Sequence, residues 1–188
     1  MSKRLFIAVD VIPDEGLISF YRKLKKLLEG LSIRWVDEKL FHLTLKFIGD
    51  TEESRIGLIK SALSEVTGYV APFTFGIGGP GFFGSKKNPR VIFSEITQAG
   101  GLTDLSFRID EKLATKGFEK EQRRFNAHLT LGRIKYLSDN TLLFSVVQQY
   151  RDTFFQTVNT QEVILYESIL RSDGAEYIPL EKFLLKGN

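Results

Sequence analysis

One tetrapeptide occurs twice in this chain, and its two copies contain the only two histidines among the 188 residues. The copies are His42-Leu43-Thr44-Leu45 and His128-Leu129-Thr130-Leu131. Side chains alternate between the faces of a β-strand, so an extended copy directs histidine and threonine to one face and both leucines to the other. Two such strands side by side would bury the leucines and present two imidazoles and two hydroxyls to one cleft. The repetition favours this arrangement over the alternative, two unrelated histidines in a core.

The elements around the two copies follow the same order. The shift that carries residue 42 to residue 128 also carries a strand pattern at 5–9 to 91–95 and a helical pattern at 14–29 to 100–115. The predicted order of elements in each half is therefore strand, helix, His-x-Thr strand, helix, strand. We predict one domain over residues 1–188, with duplicated halves at about 1–88 and 89–188 that share one body and a cleft.

Capping and turn residues predict where the elements begin and end. The predicted features are an N-cap at Thr51, a turn at 78–81, an exposed loop at 82–89, an N-cap at Ser138, a hairpin turn at 171–175 and a last strand at 183–185.

Composition excludes several classes of protein. A hydrophobic content of 43% with 26% charged residues is typical of a soluble globular protein. Without cysteine there is no disulfide, no thiolate metal site and no cysteine nucleophile. No apolar run approaches the ~20 residues that span a bilayer, and residues 1–11 are too short for a secretion signal. We expect a cytoplasmic monomer without a membrane partner. The net charge of +3 supports nucleic-acid binding only weakly.

The paired motifs suit acid–base chemistry at phosphorus. An unperturbed imidazole has a pKa of ~6.5, so either histidine can act as acid or base near neutral pH. In an in-line displacement one histidine takes a proton from the attacking oxygen and the other protonates the leaving oxygen. Each transfer is typically worth ~10²–10⁴-fold in rate. Thr44 and Thr130 can donate to the non-bridging phosphoryl oxygens or fix the imidazoles.

Five residues beyond the motifs have more than one interpretation. Arg133 offers a fixed charge with bidentate geometry for phosphate, but strict alternation puts it on the leucine face. This role therefore requires a bulge or the strand's end, and a surface salt bridge is the alternative. Lys46 shares the histidine face by alternation and is expected to be solvated, whereas Phe47 is expected in the core. Trp35 and Phe82 are further candidates for stacking on a base.

Other kinds of site fit less well. Zinc requires three or four ligands, and the chain offers two histidines and no cysteine, so we expect no metal. A Ser-His-Asp hydrolase does not require a duplicated His-x-Thr. Residues 78–81 lack the spacing and the lysine of a nucleotide loop.

The motifs and their setting resemble the 2H phosphoesterases, and most closely the RNA 2′,3′-cyclic phosphodiesterases, once called 2′-5′ RNA ligases. The resemblance covers nearly the whole chain, with Ala127 where proline is usual. The matching segments are Arg4-Leu5-Phe6-Ile7-Ala8, residues 41–49, 81–84 with 89–91, 125–133, 163–168 and 174–177.

This resemblance implies a bilobal α+β fold with antiparallel sheets and the two motifs facing each other across a cleft. It implies cofactor-free, metal-independent hydrolysis of an RNA 2′,3′-cyclic phosphate to a 2′-phosphate. By analogy with the family, His42 is the proton donor and His128 the base, although the residues alone do not choose between these roles. Thr44, Thr130 and Arg133 would bind the substrate. The reverse reaction would give 2′-5′ ligation.

The implied substrates are RNAs with 2′,3′-cyclic phosphate ends, tRNA halves among them, or cyclic nucleotides. Two alternatives stay open. One is an RNA- or nucleotide-binding module without turnover. The other is a phosphodiesterase for a different cyclic or 2′-5′-linked nucleotide.

Overall fold

A computed structural model describes residues 1–137, 139–171 and 175–187. This part of the chain forms nine β-strands, four α-helices and a short 3₁₀ helix at Glu38–Leu40. The strands are β1 (Ser2–Asp10), β2 (Ser32–Trp35), β3 (His42–Glu52), β4 (Phe73–Ser85), β5 (Asn88–Thr97), β6 (His128–Tyr136), β7 (Phe154–Thr160), β8 (Glu162–Leu170) and β9 (Ala175–Leu184). The helices are α1 (Glu15–Leu27), α2 (Glu53–Gly68), α3 (Gly100–Thr115) and α4 (Thr141–Tyr150).

The described strands form two antiparallel sheets. The first sheet has the order β3-β1-β8-β9, and the second has the order β2-β6-β5-β4-β7. The motif strands are β3 and β6, so each sheet carries one His-x-Thr copy. The predicted α+β fold with antiparallel sheets is confirmed.

Each sheet takes strands from both sides of residue 88. Strand β8 joins the first sheet by pairing with β1, and β4 joins the second by pairing with β5. The order β3-β1-β8-β9 thereby matches the order β6-β5-β4-β7. The two sheets combine the two segments of the chain, and the division into halves at 1–88 and 89–188 stays a prediction.

The leucines of both motifs lie in one continuous core. Leu43, Leu45, Leu129 and Leu131 are each at most 4% exposed and belong to the same cluster of buried side chains. Burying one leucine stabilises the fold by about 1.5–3 kcal/mol, so this shared core holds the two motif strands in place. Helices α2 and α3 contact each other, and α3 also packs on β3.

The structure corrects the predicted start of the second helix. The sequence predicts an N-cap at Thr51, but β3 continues through Gly49 to Glu52 and α2 begins at Glu53. The buried Thr51 hydroxyl donates to the Gly49 carbonyl at 3.2 Å instead. By contrast, Asp14 does cap α1, because its carboxylate accepts from the Leu17 amide at 2.9 Å. The N-cap predicted at Ser138 lies outside the described residues.

The glycines at 78–81 form strand, not the predicted turn. Strand β4 continues through them, with register shifts after Ile77 in its pairing with both neighbouring strands. A Cβ on Gly79 would lie 2.2 Å from the Tyr150 carbonyl oxygen, and one on Gly81 would lie 2.7 Å from the Phe93 ring. These glycines therefore permit a close approach of neighbouring groups, which is a second common use of glycine in strands.

The remaining differences concern segments that form strands or extend them. The predicted loop at 82–89 is a β-hairpin of β4 and β5 with its turn at Lys86 and Lys87. Strands β2 and β7 were not predicted, and the last strand is longer than residues 183–185. The turn predicted at 171–175 falls mostly on 172–174, outside the described residues. No described helix has the length and apolarity that crossing a membrane requires.

Candidate active site

The two motif strands lie against each other although they belong to different sheets. Some Cα atoms of β3 and β6 approach within 8 Å of one another. In both copies the leucines are buried, while His42, Thr44, His128 and Thr130 are half-buried. The predicted alternation within the motif is therefore confirmed, and the structure brings the two histidines into one site.

Each histidine is fixed by the same hydrogen bond. The Nδ1 atom of His42 lies 2.8 Å from the Leu40 carbonyl oxygen, and that of His128 lies 2.8 Å from the Asn126 carbonyl oxygen. A carbonyl only accepts, so Nδ1 carries the proton in both rings. This leaves Nε2 of each imidazole as the atom that takes up or releases a proton.

Aromatic rings support each imidazole. His42 contacts Phe6 and Tyr177, with ring centroids 5.2 and 5.1 Å away. His128 makes edge contacts with Phe83 and Phe93 at 4.7 and 5.8 Å. These rings restrict each imidazole to one orientation and exclude water from one side of it.

Burial lowers the pKa of both histidines, because removing an imidazolium from water is unfavourable. The carbonyls that accept from Nδ1 act in the opposite direction on each ring. The charge of Arg133 also lowers the pKa of both histidines. Asp10 raises the pKa of His42 and His128 lowers it, which places these charges near His42 as well.

Both motif strands contain a β-bulge at the same motif position. In the pairing of β1 with β3, Ala8 lies opposite Thr44 and Ile7 opposite Lys46, so Leu45 is the extra residue. In the pairing of β5 with β6, Phe93 lies opposite Thr130 and Ile92 opposite Gly132, so Leu131 is the extra residue. One extra residue moves the following side chains to the other face of the sheet.

The first bulge overturns two predictions from strict alternation. Lys46 is 7% exposed, not solvated, and its ammonium contacts the Asp110 carboxylate and donates to the Glu119 carbonyl at 2.9 Å. Phe47 is 68% exposed, not in the core, and its ring lies 6.1 Å from that of Phe6.

A phosphate-binding role for Arg133 requires a bulge before it, and the bulge at Leu131 provides one. The exposed Arg133 stands beyond it, at the place that Phe47 holds in the first copy, and acts on both histidines. No salt bridge from Arg133 is found among the described residues.

Donors from outside the motif strands hold both bulges. The Ser106 hydroxyl on α3 donates to the Leu45 carbonyl at 2.8 Å. The Val36 amide donates to the Leu131 carbonyl at 2.9 Å, and the Tyr21 hydroxyl approaches the same oxygen at 3.4 Å. The extra residue of each bulge therefore has its carbonyl satisfied, which makes the change of face a stable feature of the fold.

Among the described residues, the two other aromatic candidates make ring contacts with partners other than the imidazoles. Trp35 packs edge-on against Tyr21 with centroids 5.7 Å apart, and Phe82 packs on Phe144 at 5.1 Å. The rings that do contact the histidines were not selected from the sequence. Their signal was available only in part, since Phe6 and Phe93 lie in the strand patterns at 5–9 and 91–95, whereas Phe83 falls in the predicted loop at 82–89.

Among the described residues, no group of three or more His, Asp and Glu side chains is arranged to hold a metal ion.

Comparison with known proteins agrees with this geometry. Residues 9–93 match the family model described as LigT-like phosphoesterase. An Archaeoglobus fulgidus protein named RNA 2′,3′-cyclic phosphodiesterase is 34% identical over 96% of this chain and 99% of its own length. The chain belongs to the LigT-like phosphoesterase family. It is accordingly an enzyme, a phosphoesterase.

Solved structures share the fold. TT0787 of Thermus thermophilus superposes with a TM-score of 0.79 at 24% identity, covering 98% of both chains. E. coli LigT complexed with 3′-AMP superposes with a TM-score of 0.73 at 20% identity, covering 98% of this chain and 99% of its own.

Proposed function

We propose that this phosphoesterase hydrolyses 2′,3′-cyclic phosphate ends of RNA to 2′-phosphates, with His42 and His128 as acid and base and without a metal. The observation that carries the proposal is the pair of imidazoles on adjacent strands. Each has its Nδ1 bound to a backbone carbonyl, so each keeps Nε2 for proton transfer.

The reaction needs two proton transfers at one phosphorus. Neutral Nε2 of His128 takes a proton from water as the water oxygen attacks phosphorus. Protonated His42 gives its Nε2 proton to the departing 3′ oxygen as the P–O3′ bond breaks. The products are a 2′-phosphate and a free 3′-hydroxyl, and each histidine ends in the other's starting form. The two roles are regenerated by exchange of one proton with solvent.

Anionic phosphoryl oxygens require donors that are already in place. Thr44 and Thr130 share the faces of their histidines, and Arg133 acts on both rings. Their hydroxyls and guanidinium are suited to bind the non-bridging oxygens, where negative charge is concentrated. The substrate's own charge also favours the imidazolium, which offsets the lowering of the pKa by burial.

Relatives support the choice of substrate. The Archaeoglobus fulgidus relative is named for RNA 2′,3′-cyclic phosphodiesterase activity, and LigT was solved with 3′-AMP. We extend this to RNA ends such as tRNA halves, and to cyclic mononucleotides. The reverse reaction, attack by a ribose 5′-hydroxyl in place of water, would form a 2′-5′ linkage. A monomeric state and a cytoplasmic location stay predictions.

A direct assay tests the proposal. A 2′,3′-cyclic mononucleotide and a short RNA with a cyclic end are incubated with the protein after exhaustive chelation, and the products are identified by phosphorus NMR. We expect 2′-phosphates, at rates that chelation leaves unchanged. A 3′-phosphate product, or activity that EDTA abolishes and one metal restores, would contradict the mechanism. Binding without turnover would favour the RNA-binding alternative.

A further inference from the structure

Asp10 stands directly across from His42. The two residues are partners in the antiparallel pairing of β1 with β3, at the end where the first motif begins. From the neighbouring strand β8, the Tyr166 hydroxyl lies 2.7 Å from Asp10 Oδ1 and 2.9 Å from Oδ2. Burial and this hydrogen bond raise the pKa of Tyr166, so the phenol keeps its proton and donates it. The Asp10 carboxylate is thereby held in one place on the strand that pairs with His42.

Among the described residues, the second motif has no such carboxylate held by a phenol. Glu95 is the strand partner of His128, as Asp10 is of His42. Of these two carboxylates, however, only Asp10 raises the pKa of its histidine. The pKa of His128 is raised by its hydrogen bond to the Asn126 carbonyl and lowered by Arg133. The ring contacts differ as well, since Phe83 and Phe93 flank His128 while the phenol of Tyr177 flanks His42. The two motifs are alike in sequence, but their surroundings distinguish them.

We propose that Asp10, held by the Tyr166 hydroxyl, is a positioning residue that stabilises the imidazolium of His42 and so assigns the proton-donor role to this histidine. A general acid must be protonated before the leaving oxygen departs, and a nearby carboxylate favours that form. His128 lacks this support and suits the role of the base, which must start neutral. The proton-donor role of His42 rests on the proposed phosphodiesterase reaction. The stabilisation of its imidazolium by Asp10 does not depend on that reaction.

In the part of the chain that the structure describes, the charged and titratable groups around His42 come from four strands. Asp10 lies on β1, His128 and Arg133 on β6, Tyr166 on β8 and Tyr177 on β9. Among the described residues, Asp10 is the one carboxylate that acts on His42, so its removal changes the charge facing this ring in one direction. Neutralising it disfavours the imidazolium and lowers the pKa of His42.

The two histidines make the test direct, because each gives its own imidazole resonances in an NMR titration. In Asp10→Asn we expect the pKa of His42 to fall while that of His128 barely changes. Tyr166→Phe, which leaves the carboxylate in place but unheld, should shift His42 in the same direction by less. Glu95→Gln is the matched control at the equivalent position, and it should move neither titration. An unchanged His42 titration in Asp10→Asn, with the fold intact by circular dichroism, would overturn the inference.

Kinetics supply the second readout. Turnover of a cyclic mononucleotide by Asp10→Asn should fall about tenfold, less than the ~10²–10⁴-fold expected for loss of the acid itself. The alkaline limb of the pH–rate profile, which reports the protonated acid, should move to lower pH while the acidic limb stays. Movement of the acidic limb instead would assign Asp10 to the base and overturn the inference. If the wild-type protein shows no hydrolysis, the proposed function fails, whereas the NMR titration still decides whether Asp10 acts on His42.

Discussion

Phe47 and Arg133 occupy equivalent places on the two motif strands, each three residues beyond its threonine and just past a bulge. One motif thus ends in an exposed aromatic ring and the other in a guanidinium that acts on both histidines. Two strands that begin with the same tetrapeptide therefore present different chemistry to the same site. An aromatic ring suits a base and a guanidinium suits a phosphate, and a nucleotide contains both.

The histidines should be individually indispensable. His42→Ala and His128→Ala should each reduce turnover by at least ~10²-fold, because each removes one proton transfer. The double variant should lose little more than either single one, since the pair acts as a unit. Steady-state rates with a cyclic mononucleotide measure this, with circular dichroism as the check on folding. Near-normal turnover in either single variant would refute the assignment.

The pH dependence should differ between the free enzyme and its complex. Burial lowers the pKa of both histidines, so the bell-shaped profile of kcat/KM should lie on the acidic side of the ~6.5 of an unperturbed imidazole. A bound phosphate anion favours the imidazolium, so the profile of kcat should lie at higher pH than that of kcat/KM. Rates at low and at saturating substrate across pH 4–9 test both statements. Coincident profiles would contradict the electrostatic role of the substrate.

Arg133 should act on both imidazoles at once. Its charge lowers the pKa of His42 and of His128, so Arg133→Met should raise both values in an NMR titration. Loss of a charged hydrogen bond to phosphate, worth about 1.5–3 kcal/mol, should reduce kcat/KM by roughly 10- to 100-fold. Lys135→Met, an exposed cation on the same strand, is the control. A change in the pKa of only one histidine would show that Arg133 does not act on both rings.

The motif itself was predictable from the sequence, whereas the residues beyond it were not. Alternation places His42, Thr44 and the two leucines on their observed faces, because the period of two holds up to the bulge. At Leu45 one residue is added, and the faces of Lys46 and Phe47 are exchanged. The donor that satisfies the extra carbonyl, Ser106, lies on a helix far along the chain, so no local pattern contains it.

Contacts between residues distant in sequence also explain why strand β4 and the Asp10–Tyr166 hydrogen bond could not be predicted. The glycines at 78–81 suggest a turn when only the local sequence is considered. Their role in close packing depends on Tyr150 and Phe93, which lie on other elements. The pairing of Asp10 with Tyr166 joins two strands more than 150 residues apart. Sequence periodicity predicts which face of one strand is buried, but not which strands become neighbours.

The bulge in the first motif should depend on Ser106. Ser106→Ala removes the hydroxyl that donates to the Leu45 carbonyl, and a buried acceptor without its partner costs about 1–3 kcal/mol of unfolding free energy. Thr103→Ala, which removes an exposed hydroxyl from the same helix, should cost less. Urea denaturation compares the two variants. The resonances of His42 should move in Ser106→Ala while those of His128 stay, and equal stability of the two variants would show that the hydroxyl is dispensable.

The threonine hydroxyls should be needed for turnover. Thr→Val keeps the β-branched shape, so Thr44→Val and Thr130→Val remove the donor with little change in packing. A donor directed at developing charge can be worth about 3 kcal/mol, on the scale of an oxyanion-hole group. If the hydroxyl acts mainly in the transition state, kcat falls and KM barely moves, whereas a contact made equally in the ground state raises KM.

Thr157→Val provides the matched control for these variants. This threonine is exposed on β7, which is separated from β6 by β5 and β4 in the second sheet. Its substitution should leave both kcat and KM unchanged. A purely structural role for Thr44 and Thr130 predicts a lower melting temperature with unchanged turnover per folded molecule. We expect lost turnover at an unchanged melting temperature, and kinetics equal to those of Thr157→Val would show that the threonines only suit a strand.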